Sequence, residues 1–253
     1  MMTSKLTSII IPSFNGLTLL QRLIDSIREH TDPKATPYEI IVVDNGSSDG
    51  TCQWCIDQRI PFVSLADNVG FPAACNQGLR IATGDQLMLL NNDIVATPNW
   101  LANLSAGLEQ ESDIGLTGPI TNYASGIQQA DYRFDSLEQF MVIAADVNHP
   151  DASKRVRVMR IVGLCMLFKR EVYEKVGELD ERFSPGHYED DDYCLRIRMH
   201  GYSLLMCQDA LIYHEGSASF RRTSSAEVEQ LIARNRQLYI DKWGIDPGIF
   251  IGT

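Results

Sequence analysis

The 253 residues carry a formal net charge of −11, and 44% of them are apolar. Such an acidic balance excludes the basic footprint of a nucleic-acid binder and gives no support to docking on an anionic membrane. The length suits one large α/β domain, or one domain with a modest appendage.

In chain order, Thr7 to Pro12 predicts a first strand closed by its proline, and Leu17 to His30 has helical period. After a polar connection, Tyr38 to Val43 predicts a second strand, which breaks into seven turn formers from Asp44 to Gly50. Thr51 to Gln58 reads as a short helix, Pro61 to Leu65 as a strand, and Pro72 to Thr83 as a helix of small residues ended by Gly84. Leu87 to Leu90 is continuously apolar, as in a strand buried on both faces. Strands alternating with helices predict βαβ units and a mostly parallel sheet flanked by helices. Beyond it, Asn99 to Gln110 predicts a helix and Ile114 to Pro119 a strand. Residues 121–160 are polar and weakly periodic apart from a helix over Ser136 to Ala145, which suits a loop or lid. Strands over Ile161 to Phe168, Leu204 to Cys207 and Ala210 to Tyr213 follow, with helices over Arg170 to Val176, Tyr188 to His200 and Ala226 to Trp243. The last helix, with Tyr239 and Trp243, is free to pack on the core or on a second subunit.

Six cysteines include one C-x-x-C, Cys52 to Cys55, but it falls in a helical pattern and no second pair follows, against zinc or redox chemistry. No signal-peptide pattern opens the chain, and no apolar run approaches the roughly 20 residues of a membrane span. The expected location is cytoplasmic; peripheral association with a membrane stays open.

In open α/β sheets, ligands collect beyond the carboxyl ends of the strands. Three such ends offer loops: Pro12 to Gly16, Asp44 to Gly50, and Asn91-Asn92-Asp93. Asp93, flanked by amides, suits a hard divalent cation or a plain polar turn. Asp44 either starts an Asx-turn or accepts a hydrogen bond from the imide N–H of a pyrimidine, and Asp49 reads as the cap of the following helix. No G-x-G-x-x-G or G-x-x-x-x-G-K-[ST] follows a strand, against a dinucleotide dehydrogenase or a P-loop enzyme. Four consecutive carboxylates, Glu189, Asp190, Asp191 and Asp192, start a helix. They suit the helix dipole, yet like charges raise the pKa of at least one and make it a better base. One suffices for catalysis; the others hold nearby groups or face water. His214 ends a strand, with Arg221 and Arg222 shortly after, suited to metal and phosphate respectively.

With these pieces in order, from Ser8-Ile9-Ile10-Ile11-Pro12-Ser13-Phe14-Asn15 through Val42-Val43-Asp44-Asn45-Gly46-Ser47-Ser48-Asp49-Gly50-Thr51, then Asn68-Val69-Gly70-Phe71 to Asn76-Gln77-Gly78, Leu89-Leu90-Asn91-Asn92-Asp93, Glu189 to Asp192 and His214, the chain resembles the family 2 glycosyltransferases. The resemblance covers nearly the whole chain. It implies the GT-A fold in one domain, with a nucleotide-sugar-binding half over 1–98, an acceptor-binding half over 99–225, and a C-terminal helix and tail over 226–253. It further implies that Asp44 reads the pyrimidine base, with Pro12, Ser13, Asn15, Asn76 and Asn92 lining the nucleotide site. Asp93 is similar to the last Asp of the family's D-x-D motif and His214 to its later metal histidine, together holding Mn2+ or Mg2+. Asn91 stands where the family often has Asp, which weakens metal affinity and raises the weight of His214. Asp190 matches the catalytic base, with Glu189, Asp192, Arg221 and Arg222 available to the diphosphate or the acceptor. Residues near Gly163 to Met166 are expected to face the acceptor. The implied activity is inverting, metal-dependent transfer from a UDP- or dTDP-sugar to a hydroxyl of a saccharide or lipid-linked glycan. A nucleotidyltransferase is the enzymatic alternative, although the first loop is neither Gly-rich nor basic; a non-catalytic sugar-nucleotide-binding protein is the other. Whether the chain forms a homodimer stays open.

Overall fold

The computed structural model describes residues 5–216 and 225–252. Its first half runs β1 (Thr7–Ser13), α1 (Leu17–His30), β2 (Tyr38–Asp44), α2 (Thr51–Gln58), β3 (Phe62–Ser64), α3 (Phe71–Ile81) and β4 (Gln86–Leu90). The second half adds β5 (Ile94–Val95), α4 (Trp100–Leu108), β6 (Ile114–Thr121), α5 (Leu137–Val147), β7 (Arg155–Val158), β8 (Cys165–Lys169), α6 (Arg170–Val176), α7 (Glu189–Met199), β9 (Ser203–His214) and α8 (Ser225–Trp243). The strands lie in the order β3-β2-β1-β4-β8-β6-β9-β5, with β7 also paired to β9.

The sheet owes its two helical layers to strands whose central positions are apolar on both faces. Side chains alternate between faces along a strand. Ile9 and Ile11 of β1 therefore enter a core with Leu20, Leu23 and Ile27 of α1 and Trp100, Leu101 and Leu104 of α4. Ile10 between them enters the opposite core, with Ala74, Cys75 and Leu79 of α3 and Tyr193 and Ile197 of α7. The small residues of α3 have a packing reason: a Cβ on Gly78 would strike the Ile10 side chain.

From β3 to β4 all pairs are parallel, as the βαβ pattern predicts. Beyond β4 the sheet is mixed. β8 runs antiparallel to β4 and β6, β6 runs parallel to β9, and β5 and β7 run antiparallel to β9. Three local expectations change. The strand anticipated from Ile161 starts only at Cys165, and β7 emerges in the span read as a polar connection. Arg155-Val156-Arg157-Val158 does alternate, but only Val158 is buried, too short an apolar signal to mark a strand. The two strands anticipated around residues 204–213 are one, β9, because the polar break is internal: Asp209 is fully buried and paired to Arg155 at 2.8 Å. A register shift against β6 between Pro119 and Ile120 absorbs the extra residues.

The last helix packs on the core. Tyr239 and Asn235 are fully buried, and the Asn235 amide donates to the carbonyls of Phe183, Gly186 and His187, the turn leading into α7.

Candidate active site

The loops after β1, β2 and β4 meet because strand register puts their origins level. Ser13 stands opposite Asp44 in the β1–β2 pair, and the Asn45 amide donates to the Ser13 carbonyl at 2.8 Å. Ile10 stands opposite Leu89 in the β1–β4 pair, so Ser13 comes level with Asn92, whose amide donates to the Ser13 hydroxyl at 3.1 Å. Asp44 is 1% exposed and accepts from the Cys52 thiol at 2.9 Å and the Ser47 amide at 3.3 Å. Burial, then the bond to Asp44, pushes the Cys52 thiol up, so it remains a protonated donor. Asn15 has a left-handed backbone (φ 48°), and its side-chain oxygen accepts from the Ser48 amide at 2.8 Å. That bond ties the first loop to the second. Asp49 accepts from the amides of Leu17 and Thr51, so one carboxylate caps the starts of both α1 and α2. Phe14 is 43% exposed at the tip of the first loop.

Asn76 is a correction. It is fully buried in α3, and its amide both donates to the Leu179 carbonyl and accepts from the Leu179 N–H, so it braces α3 against that loop and does not face a nucleotide.

The short β5–β9 pair sets Ile94 opposite His214, and the Glu215 amide donates to the Asp93 carbonyl. This brings His214 Nε2 to 3.2 Å from Asp93 Oδ1, with both residues buried. The other ring nitrogen, Nδ1, lies 2.7 Å from the Tyr123 carbonyl and is fixed as its donor, which aims Nε2 at the carboxylate. Asn122 clamps the His214 backbone from both sides, accepting from its N–H and donating to its carbonyl. Burial lowers the His214 pKa, but the bond to Asp93 and its charge more than offset that, and the net direction is up. Adjacent ligands of an octahedral ion with bonds of about 2.1 Å lie about 3 Å apart. The Asp93–His214 pair therefore fits two neighbouring positions of a divalent cation, with other oxygen ligands or water for the rest. No third His, Cys, Asp or Glu joins them among the described residues. Asn91 adjoins the pair in sequence; its amide N–H donates to the Leu164 carbonyl.

The acidic run at the start of α7 divides by environment. Asp190 Oδ2 accepts from the Gly163 N–H at 2.8 Å and Oδ1 from the Asp191 N–H at 3.0 Å, leaving further lone pairs on both oxygens. Asp191 Oδ1 accepts from Arg160 Nε at 2.6 Å; burial and the neighbouring Asp190 nevertheless push its carboxyl up to about 7. Glu189 is 6% exposed, and burial, then Asp190, raise its pKa well above the carboxylate range; its Oε2 has no hydrogen-bond partner among the described residues. Asp192 is a second correction. It is fully buried and bound by Arg196, Lys242 and the Trp243 indole, so it anchors α8 instead of meeting diphosphate or acceptor. Of the Gly163 to Met166 stretch, only Gly163 touches this site; Leu164, Cys165 and Met166 are core. Arg221 and Arg222 lie outside the described residues.

Sequence reading missed Asn122, Tyr123, Cys52 and Arg160. All four act on other protein groups, through contacts between distant strands and loops that no local spacing announces.

The family described as "Glycosyl transferase family 2" matches residues 8–177. The uncharacterized protein y4gI of Sinorhizobium fredii is 28% identical over 252 residues, covering 94% of this chain and 27% of its own. The chain thus spans about a quarter of that relative. Among solved structures, the mannosyltransferase PcManGT from Pyrobaculum calidifontis, in complex with GDP-Man and Mn2+, has a TM-score of 0.63 at 19% identity, covering 92% of this chain and 65% of that one. GalNAc-T7 with UDP, GalNAc and Mn2+ has a TM-score of 0.66 at 17% identity, covering 85% and 44%. At such identities the structural likeness speaks for the GT-A fold alone.

Proposed function

We propose, for a chain that belongs to glycosyl transferase family 2, that it moves a sugar from a UDP- or dTDP-sugar to a hydroxyl of a saccharide or lipid-linked glycan, with inversion at the anomeric carbon. The observation that carries the reading is the meeting of Asp93 and His214 beside the aligned ends of β1, β2 and β4. Asp44, with Pro12, Ser13, Asn15 and Asn92 around it, would take the base, its carboxylate accepting from a pyrimidine N3–H; the exposed Phe14 ring offers a stacking face. A divalent ion on Asp93 and His214, with Asn91 beside them, would supply Lewis-acid neutralisation of the departing diphosphate. Both solved relatives named above carry Mn2+ with their nucleotide ligands.

Asp190 is the proposed base. Two backbone N–H groups fix its plane, so a lone pair meets the acceptor hydroxyl without reorientation. The acceptor O–H proton passes to Asp190 as the oxygen bonds the anomeric carbon. The bond from that carbon to the phosphate oxygen breaks, and its electron pair leaves on the nucleoside diphosphate. One displacement on the face opposite the leaving group inverts the configuration. The test is a Mn2+-containing reaction with α-linked UDP- and dTDP-sugars and a panel of glycan acceptors, followed by proton NMR of the product. A β-linked product with one equivalent of nucleoside diphosphate is expected; an α-linked product would remove Asp190 from the role of base.

A further inference from the structure

Arg160, in the loop before β8, lies against the start of α7. Its Nε bonds Asp191 at 2.6 Å, its Nη1 bonds the Ser125 hydroxyl at 2.9 Å, and its Nη2 stands 3.9 Å from Asp190 Oδ2. The side chain is 13% exposed, and the two carboxylates beside it hold the guanidinium firmly charged. The geometry is asymmetric in a useful way. Arg160 hydrogen-bonds the carboxylate that the transfer reaction does not use, and stops short of hydrogen-bonding the one it does. A direct bidentate clamp on Asp190 would stabilise its anion and occupy its lone pairs, making a poor base.

We propose that Arg160 is a positioning residue for the transfer reaction: docked on Asp191 and Ser125, it sets its positive charge beside Asp190 while leaving a carboxylate oxygen open to the acceptor hydroxyl. The proposal rests on the reading of Asp190 as base. Among the described residues, the groups named next do not duplicate the role. On its own helix stand Glu189, Asp191 and Cys194, which are acidic or neutral. His187 faces it from the preceding turn, but burial lowers the pKa of that imidazole and favours its neutral form. Tyr239 of α8 faces Asp191 and is held as a neutral phenol. The Asp192 carboxylate is matched separately by Arg196 and Lys242. Without Arg160, three adjacent buried carboxyls would lose the cation they share, which favours protonation of the cluster.

The sign is worked out in two opposite variants. Arg160→Gln removes the cation, so the acid limb of kcat/KM should move to higher pH by about one unit or more. Transfer should then fall further at pH 6 than at pH 9, by up to about tenfold for a shift of one unit. Asp191→Asn removes the neighbouring negative charge, and the acid limb should move to lower pH. Arg160→Lys, which keeps the charge, should return the limb toward the wild type. Nucleoside diphosphate affinity should be unchanged in all three, because the base-reading loops lie on other strands. Equal losses at every pH, with the limb in place, would mean that Arg160 only braces the fold and would overturn the proposal. If Arg160→Gln does not fold, Arg160→Lys and Asp191→Asn decide it, an unmoved or upward limb in Asp191→Asn being the contrary result. Asp190→Asn is measured alongside. If it abolishes transfer while no limb moves, only the role of Arg160 fails; if it leaves transfer intact, the base assignment itself is wrong.

Discussion

Replacing Asp190 with Asn is expected to lower kcat by about 10²- to 10⁴-fold, the range a positioned general base contributes. The substitution is nearly isosteric. The Asn carbonyl oxygen can still accept from the Gly163 N–H, so α7 should stay in place, whereas the amide nitrogen loses the bond from the Asp191 N–H. The affinity for nucleoside diphosphate should not change, because Asp44 sits on β2, Asp93 in the turn between β4 and β5 and His214 on β9, none of them on α7. Steady-state kinetics with a calorimetric titration separate the two quantities. A parallel loss of binding and turnover would place Asp190 in the donor site.

The second large effect concerns stability. Asp192 is fully enclosed, and its two oxygens take Arg196 Nε at 2.8 Å, Lys242 Nζ at 2.6 Å and Trp243 Nε1 at 2.8 Å. Truncation to Ala leaves those three donors short of an acceptor. Breaking a buried ion pair from one side costs about 3–5 kcal/mol. For a chain of this size that corresponds to a fall in Tm of about 10 °C, measurable by thermal circular dichroism. Arg196 retains the Val176 and Glu178 carbonyls and Lys242 retains Asp180, so the fold should survive at low temperature. The damage should centre on α8. Hydrogen exchange should rise there and in the 183–187 turn, whose carbonyls Asn235 holds. An unchanged Tm would mean that the carboxylate is not the anchor of the last helix.

The first half of the chain was legible because it is locally consistent. Each of β1, β2 and β4 is a continuous apolar run ended by turn formers, and these features place Asp44 and Asp93 at one sheet edge without reference to anything distant. The second half was harder for a physical reason: its strands are fixed by partners far away in sequence. β7 pairs along its whole length with β9, and Arg155 at its start meets the buried Asp209 inside β9. The meeting of Asp93 with His214 was expected only from family resemblance; the two-residue strand β5, which brings it about, has no periodic signal of its own. The acidic run shows the limit most clearly. Four like residues in a row are indistinguishable in sequence, yet Asp190 takes two backbone N–H groups, Asp191 takes Arg160, Asp192 takes α8, and Glu189 is buried with an unpartnered oxygen. Asn76 failed for the converse reason. A buried Asn on a small-residue helix reads alike whether it meets a ligand or, as here, the backbone of Leu179.

The donor site is tested most directly by calorimetric titration of UDP, dTDP and GDP, each with and without Mn2+, on the wild type and on Asp93→Ala. One pyrimidine diphosphate should bind the wild type in the presence of Mn2+, and that binding should be lost on removing either the metal or the Asp93 carboxylate. Binding indifferent to both, or no binding of any of the three nucleotides, would contradict the assignment of Asp93 and His214 to the donor diphosphate.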